Sequence, residues 1–317
     1  MGSLQGTIKA LNWMDGRTKE AAIAKANTVV TNLYFPNQLL DDRFLAQLYP
    51  LERLNIRPTD NWQQAVAKVV KFNVWSSISR RYNKRMDRTD WFPAVSTAFL
   101  NGHHLPDKNS VTILGGLFNP PVFHPSYPKA VNFGYFGQFM AHELMHGFGI
   151  YGVQCDKEGR LNSWMSNTSK LGFQSMAKCT IDQYDKVGYR IERLNKTLTI
   201  SGLQTLDENM ADIGGLGAAH KAYKNVEKLI GGEGPLPGRM SWYTMEQIFF
   251  ISYAYGYCQN HDENSLLFDL THDPHSPASA RVNGAARNNA AFGKAFNCPV
   301  GSPMRPQDSE KCDVWGQ

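Results

Sequence analysis

The segment MAHELMHGF, residues 140–148, sets two histidines four positions apart, with a glutamate directly after the first. Four residues of α-helix turn the chain through about 400°, so His142 and His146 nearly eclipse and their imidazoles can meet at one ion. Glu143 can reach a water at that ion without binding the ion itself. This is the mechanical content of H-E-x-x-H, the pattern of a hydrolytic zinc site. The same five residues also arise on helices that merely carry two histidines, so the reading needs further ligands.

A hydrolytic zinc takes a third protein ligand and keeps one position open. The segment TLDENMADIGGLGAAHKAY offers it 62 residues on (208 − 146), with Glu208 and Asp212 four apart on one helical face. One carboxylate can bind the ion. The other can accept a hydrogen bond from the free ring nitrogen of a ligand histidine and so fix its tautomer. The alternative is an ordinary acidic first turn, which the helix macrodipole favours.

The elements that must hold these residues are mostly helical. DGRTKEAAIAKANTVVTNL, residues 15–33, reads as an amphipathic helix with Ala22, Ala26, Val29 and Leu33 on one face and Asp15 as N-cap. A second helix is predicted around DNWQQAVAKVVKFNVWSSISRRYN. PAVSTAFL and SVTILGGLF read as short strands, with NGHHLPDKN as the loop between them. NPPVFHPSYP is too interrupted by proline to be helical. The expected class is mainly α with a small mixed sheet (α+β), without internal repeats.

The 317 residues are 42% hydrophobic and 19% charged, enough for one large core or two domains. The net charge of +5 is mild, and the short basic cluster SRRYNKRMDR reads as a solvated helix face rather than a nucleic-acid patch. No apolar run approaches the ~18 residues of a membrane span. MGSLQGTIKA lacks the apolar core of a secretory signal. Five cysteines contain no CxxC pair, which argues against a cysteine zinc site, and their wide spacing suits disulfides in an oxidising compartment. Sequons at Asn167 and Asn195 agree with an extracellular glycoprotein.

HELMH, followed by ENMADIGG and a terminal CDVW, resembles the neprilysin and endothelin-converting-enzyme family of zinc peptidases, from LNWMDGRTKEAAIAKA almost to the end. The resemblance implies a thermolysin-like gluzincin fold, with a helical segment over 1–60 leading into a catalytic domain over 61–317. It also implies one Zn²⁺ held by His142, His146 and Glu208, with Glu143 as general base. Asp212 would orient a ligand histidine, His275 would stabilise the oxyanion, and Arg281 would hold a substrate carbonyl. VSTAFL, with Thr97 and Ala98, matches the family's peptide-pairing edge strand. Leu117, Val122 and Phe139 would line an apolar pocket for the residue after the cut bond. The implied partners are peptides, with no nucleic acid, and with membrane attachment only through an upstream anchor outside this chain. The remaining histidines, 103, 104, 124, 220, 261 and 272, match no ligand position and read as surface or packing residues.

Several positions depart from the family pattern. Gly149 stands where the family carries an aspartate beside the second histidine, so a carboxylate bracing His146 is expected to be missing. Thr97 replaces an asparagine, and NGHHL reads as an insertion. The family's upstream cap is largely absent from this sequence. By resemblance Cys179 pairs with Cys312, Cys258 and Cys298 pair with upstream cysteines, and Cys155 has no counterpart. These departures leave a second reading beside the peptidase, a weakened or non-catalytic secreted relative that binds peptides or partners. The intact Glu143 opposes it.

Overall fold

Asp15 starts the first long helix as its spacing predicts, its carboxylate accepting the Thr18 N–H at 2.8 Å. The computed structural model describes residues 2–82, 87–89 and 96–315. Its first half runs α1 (Gly2–Ala10), α2 (Gly16–Asn27), β1 (Val30–Tyr34), α3 (Asp42–Leu48), α4 (Leu51–Leu54), α5 (Trp62–Arg81), β2 (Gly102–Leu105), β3 (Ser110–Leu114), α6 (Lys129–Asn132) and α7 (Gln138–His146). The second half runs α8 (Asn167–Tyr184), β4 (Gly188–Ile191), β5 (Lys196–Thr199), α9 (Leu206–Leu229), α10 (Met245–Tyr255), α11 (Glu263–Thr271), α12 (Ala278–Asn288) and α13 (Ala290–Ala295). The class is the expected one: mainly helical, with small sheets.

The helix begun at Asp15 stops at Asn27, short of the expected Leu33. Thr28, Val29, Val30 and Thr31 are all β-branched and fit a strand better than a helix interior. Val30–Tyr34 instead lies parallel to Ser110–Leu114, so Val29 and Leu33 leave the helical face assigned to them. The helix expected around residues 60–83 is α5, opened by a reciprocal Asn61–Gln64 capping box. The basic cluster begins within the last turn of α5, and its residues 83–86 lie outside the described residues.

The three-stranded sheet has the order β1–β3–β2, with β2 antiparallel to β3, and is mixed as expected. Its edge differs from the sequence reading. Val95 lies outside the described residues, and Ser96–Phe99 is a turn: the Ser96 hydroxyl accepts the Ala98 N–H at 3.2 Å and its carbonyl accepts the Phe99 N–H at 3.2 Å. The strand is GHHL, within the segment read as a loop and insertion, registered Gly102 to Ile113 and Leu105 to Ser110. SVTIL is a strand, but GGLF after it is a single 3₁₀ turn.

The main core is built around the crossing of α7 and α9. Ile213, Leu216, Ala219 and Tyr223 of α9 are buried with Met145 of α7, Phe249 and Tyr253 of α10, and Leu4, Ile8 and Ala22 from the N-terminal helices. A Cβ on Gly215 would stand 2.8 Å from His142 N and 2.9 Å from its Cα. Glycine at 215 therefore lets the two helix backbones touch, which brings the first turns of α9 up to the histidines of α7. Trp315 is buried at the end of the chain against Trp13, Phe148 and Phe173. Cys179 and Cys312 are disulfide-bonded, the pairing the family resemblance implies. Cys155, Cys258 and Cys298 are free.

Candidate metal centre

α7 ends at His146, and both histidines of the motif point from its buried face toward α9. His142 Nε2 lies 3.1 Å from His146 Nε2 and 3.1 Å from Glu208 Oε2, and His146 Nε2 lies 3.5 Å from Glu208 Oε1. Donors at ~2.05 Å in a tetrahedral shell stand about 3.3 Å apart. The three side chains therefore already have the spacing of one face of such a shell. Among the described residues this is the group able to hold a metal ion.

The surroundings favour a cation. Asp207, Glu208 and Asp212 crowd the two imidazoles, and one guanidinium, Arg281, is shared between Glu208 and Asp212. Burial alone would lower the His142 imidazole, but the Asp212 and Glu208 carboxylates outweigh it and push it up to about 10. Burial would raise the Glu208 carboxyl, yet His142 and His275 hold it well below the usual range. The site thus stabilises positive charge among its donors, which a divalent ion supplies, and the residues fit one.

Each histidine of the motif has a carboxylate of α9 close to its Nδ1. His142 Nδ1 is 2.8 Å from Asp212 Oδ1. Asp212 is fully buried and is itself held by Arg281 through two contacts of 2.6 and 2.8 Å, and by the Tyr257 hydroxyl at 3.1 Å. The expected gap at His146 does not exist. Its Nδ1 lies 2.6 Å from Asp207 Oδ2, so a carboxylate from α9 takes the position that Gly149 leaves empty. Sequence reasoning missed Asp207. Its one signal was its place directly before the candidate ligand Glu208 in the same triplet, DEN.

Glu143 is 5% exposed, and burial raises its carboxyl, the direction that suits a group exchanging protons near neutrality. Among the described residues nothing hydrogen-bonds to it. His275 reaches the centre from the segment before α12, with Nε2 3.2 Å from Glu208 Oε2 and Nδ1 2.7 Å from Asp273 Oδ1. Glu208 first, then Asp273, raise its imidazole, so both nitrogens carry protons more readily than in water. Arg281 is nearly buried over the Tyr257 ring, with its guanidinium between Asp212 and Glu208.

The substrate-side residues are only partly gathered. Leu117, Val122 and Phe139 join Val111, Ile113 and Phe136 in a second apolar cluster, with Leu117 and Val122 both 4% exposed. A Cβ on Gly102 would meet the Phe139 ring, so this cluster backs directly onto β2. Thr97 and Ala98 do not form an edge strand. The Thr97 carbonyl accepts the Gly116 N–H at 3.1 Å and is used inside the fold. Of the remaining histidines, His104 is half-buried and His220 is bonded to Glu246 at 2.8 Å.

A helix presenting H-E-x-x-H to a carboxylate on a crossing helix, with a carboxylate behind each imidazole, defines a metallopeptidase-type centre. Residues 101–312 match the sequence profile of peptidase family M13, and the chain belongs to that family. It is 35% identical over 320 residues to neprilysin-11 of Caenorhabditis elegans, covering 99% of this chain and 36% of that protein. It is 33% identical over 313 residues to endothelin-converting enzyme 1 of Homo sapiens, covering 99% and 39%. Among solved structures it is similar to the zinc metalloprotease Zmp1 of Mycobacterium tuberculosis in complex with an inhibitor. That match has a TM-score of 0.81 at 26% identity and covers 99% of this chain and 45% of that one. The Haemonchus galactose-containing glycoprotein complex matches with a TM-score of 0.80 at 32% identity, covering 98% and 49%. The chain thus spans well under half the length of these curated relatives.

Proposed function

We propose that the chain is the catalytic portion of a zinc-dependent endopeptidase that cuts peptides on the amino side of apolar residues. The observation that carries this is the three-donor face made by His142, His146 and Glu208, with Glu143 buried on the same helix. A zinc ion held by those donors supplies Lewis acidity, polarising a carbonyl and acidifying water. Glu143 takes the proton from the attacking water and returns it to the leaving amine. His275, kept protonated by Glu208 and Asp273, offers an N–H to the developing oxyanion. Arg281 steadies Asp212 and, with donors left over, orients a substrate carbonyl. β2 is the open edge beside α7, so it takes the peptide-pairing role in place of VSTAFL. Leu117, Val122 and Phe139 set the apolar preference.

In this reading the catalytic domain covers 61–317, with residues 1–60 packed into it. The partners are peptides and not nucleic acid. The Cys179–Cys312 disulfide supports an extracellular setting. Among the described residues no helix is long and apolar enough to cross a membrane. The reading of a weakened relative loses its main support, because Asp207 supplies the brace thought missing.

The test is zinc content together with hydrolysis of a quenched peptide carrying an apolar residue after the scissile bond. Glu143→Gln should keep one zinc per chain and lose activity by ~10²-fold or more. A chain that binds no zinc, or a Glu143→Gln variant that loses its zinc, would sink the assignment.

A further inference from the structure

We infer that Asp207 is the positioning residue for His146, and that position 149 is glycine because Asp207 occupies the space of its side chain. The inference rests on the metal-centre reading above. His146 turns Nε2 toward His142 and Glu208, and its other nitrogen, Nδ1, lies 2.6 Å from Asp207 Oδ2. A carboxylate on Nδ1 keeps the ring proton there. The Nε2 lone pair is then free for an ion, and the ring cannot rotate away from it. The second oxygen of Asp207 accepts the Ile150 N–H at 2.7 Å. One side chain therefore fixes both the ligand ring and the loop that follows α7.

The geometry at Gly149 shows that the two positions are coupled. Its φ lies outside the left-handed region, so the backbone there admits any L-residue. What excludes a side chain is Asp207: a Cβ at 149 would fall on Oδ1, 3.0 Å from Cγ and 3.3 Å from Oδ2. The space behind His146 holds one carboxylate group, reached from α9 or from the loop after α7, and not both. In this chain it comes from α9, one residue before the ligand Glu208, so a single helix start delivers a ligand and a brace together.

The test is zinc affinity by chelator competition on the full chain, with the thermal midpoint of each metal-free variant measured alongside. Asp207→Ala should weaken zinc by about 10- to 100-fold. Asp207→Asn keeps an acceptor for Ile150 N–H but removes the charge, and should also weaken zinc while leaving the metal-free midpoint near that of the unsubstituted chain. Gly149→Asp alone should lower the metal-free midpoint without tightening zinc. The exchange pair, Asp207→Gly with Gly149→Asp, should recover affinity to within a few-fold of the starting protein, a non-additive rescue that a merely structural role would not give. Unchanged zinc affinity in both Asp207→Ala and Asp207→Asn would overturn the inference, as would tighter zinc in Gly149→Asp alone. Lack of zinc binding by the unsubstituted chain would instead overturn the metal-centre reading itself.

Discussion

The α7–α9 crossing and the β2 edge lie side by side, yet they depend on different physics. At the crossing, two helix backbones meet through Gly215, and each donor is fixed by helical period. A ligand there has one place to be. At the edge, eight residues between Leu100 and Asn109 decide which stretch pairs with β3, and a serine-initiated turn hands that role to GHHL. The donor set is therefore rigid in sequence terms, whereas the edge of the sheet can be rebuilt by local turn chemistry without disturbing it.

If the crossing is rigid in this way, the largest effect should come from Gly215→Val. The added atoms would meet His142 backbone within 2.9 Å, and backbone cannot swing aside as a side chain can. Overpacking of this kind costs about 3 kcal/mol. Separating the helices also pulls Glu208 and Asp212 from the histidines, so zinc affinity should fall together with stability. Chelator competition and thermal unfolding on one sample would check it. A variant that lost stability but bound zinc normally would show that the crossing tolerates adjustment, and would remove the contrast with the edge.

What could be read in the sequence follows the same division. His142, His146, Glu208 and Asp212 were legible because i, i+4 spacing maps directly onto a helical face, and ligand chemistry narrows the residue types. Asp15 was legible as a cap, whereas the α5 helix was expected without its Asn61–Gln64 capping box being read. The end of α2 was misjudged because alanine periodicity continued into a β-branched run, and pairing with β3 decided its fate. The edge was misjudged because a hydrophobic run, TAFL, looks like a strand until Ser96 closes a turn on it. Asp207 was invisible for a different reason: the brace was sought at one position in the chain, while the requirement is a carboxylate at one point in space.

His104 joins the two regions. It belongs to β2, and its ring rests beside Gly147 at the end of α7. Among the described residues neither ring nitrogen has a hydrogen-bond partner, and burial pushes its imidazole down to about 3. Below pH 6.5 the unfolded chain takes up a proton that the folded chain refuses. Stability from this group is therefore complete above pH 6.5 and is lost as pH falls toward 3. The loss reaches about 2 kcal/mol at pH 5. His104→Leu should flatten the difference in unfolding free energy between pH 7 and pH 5 by that amount. An unchanged pH slope would mean that the histidine is solvated in the folded state, and that the contact between edge and crossing is loose.

The smallest effect should come from Gly116→Ala, and it bears on which strand meets the substrate. Gly116 N–H donates to the Thr97 carbonyl, and an added Cβ would collide with the carbonyls of Ala98 and Phe99. The 96–99 turn must move, but it lies near the surface and can shift as a unit, so the cost should be about 1 kcal/mol. With β2 as the pairing edge, the moved turn touches neither the metal donors nor the substrate backbone. KM, kcat and zinc affinity should then stay within about twofold of the starting protein, while the thermal midpoint drops by about 1–3 °C. Steady-state kinetics on the same quenched peptide gives the decision. A KM raised tenfold at constant kcat would place the substrate against Thr97 and Ala98 after all, and β2 would then be a spacer rather than the binding edge.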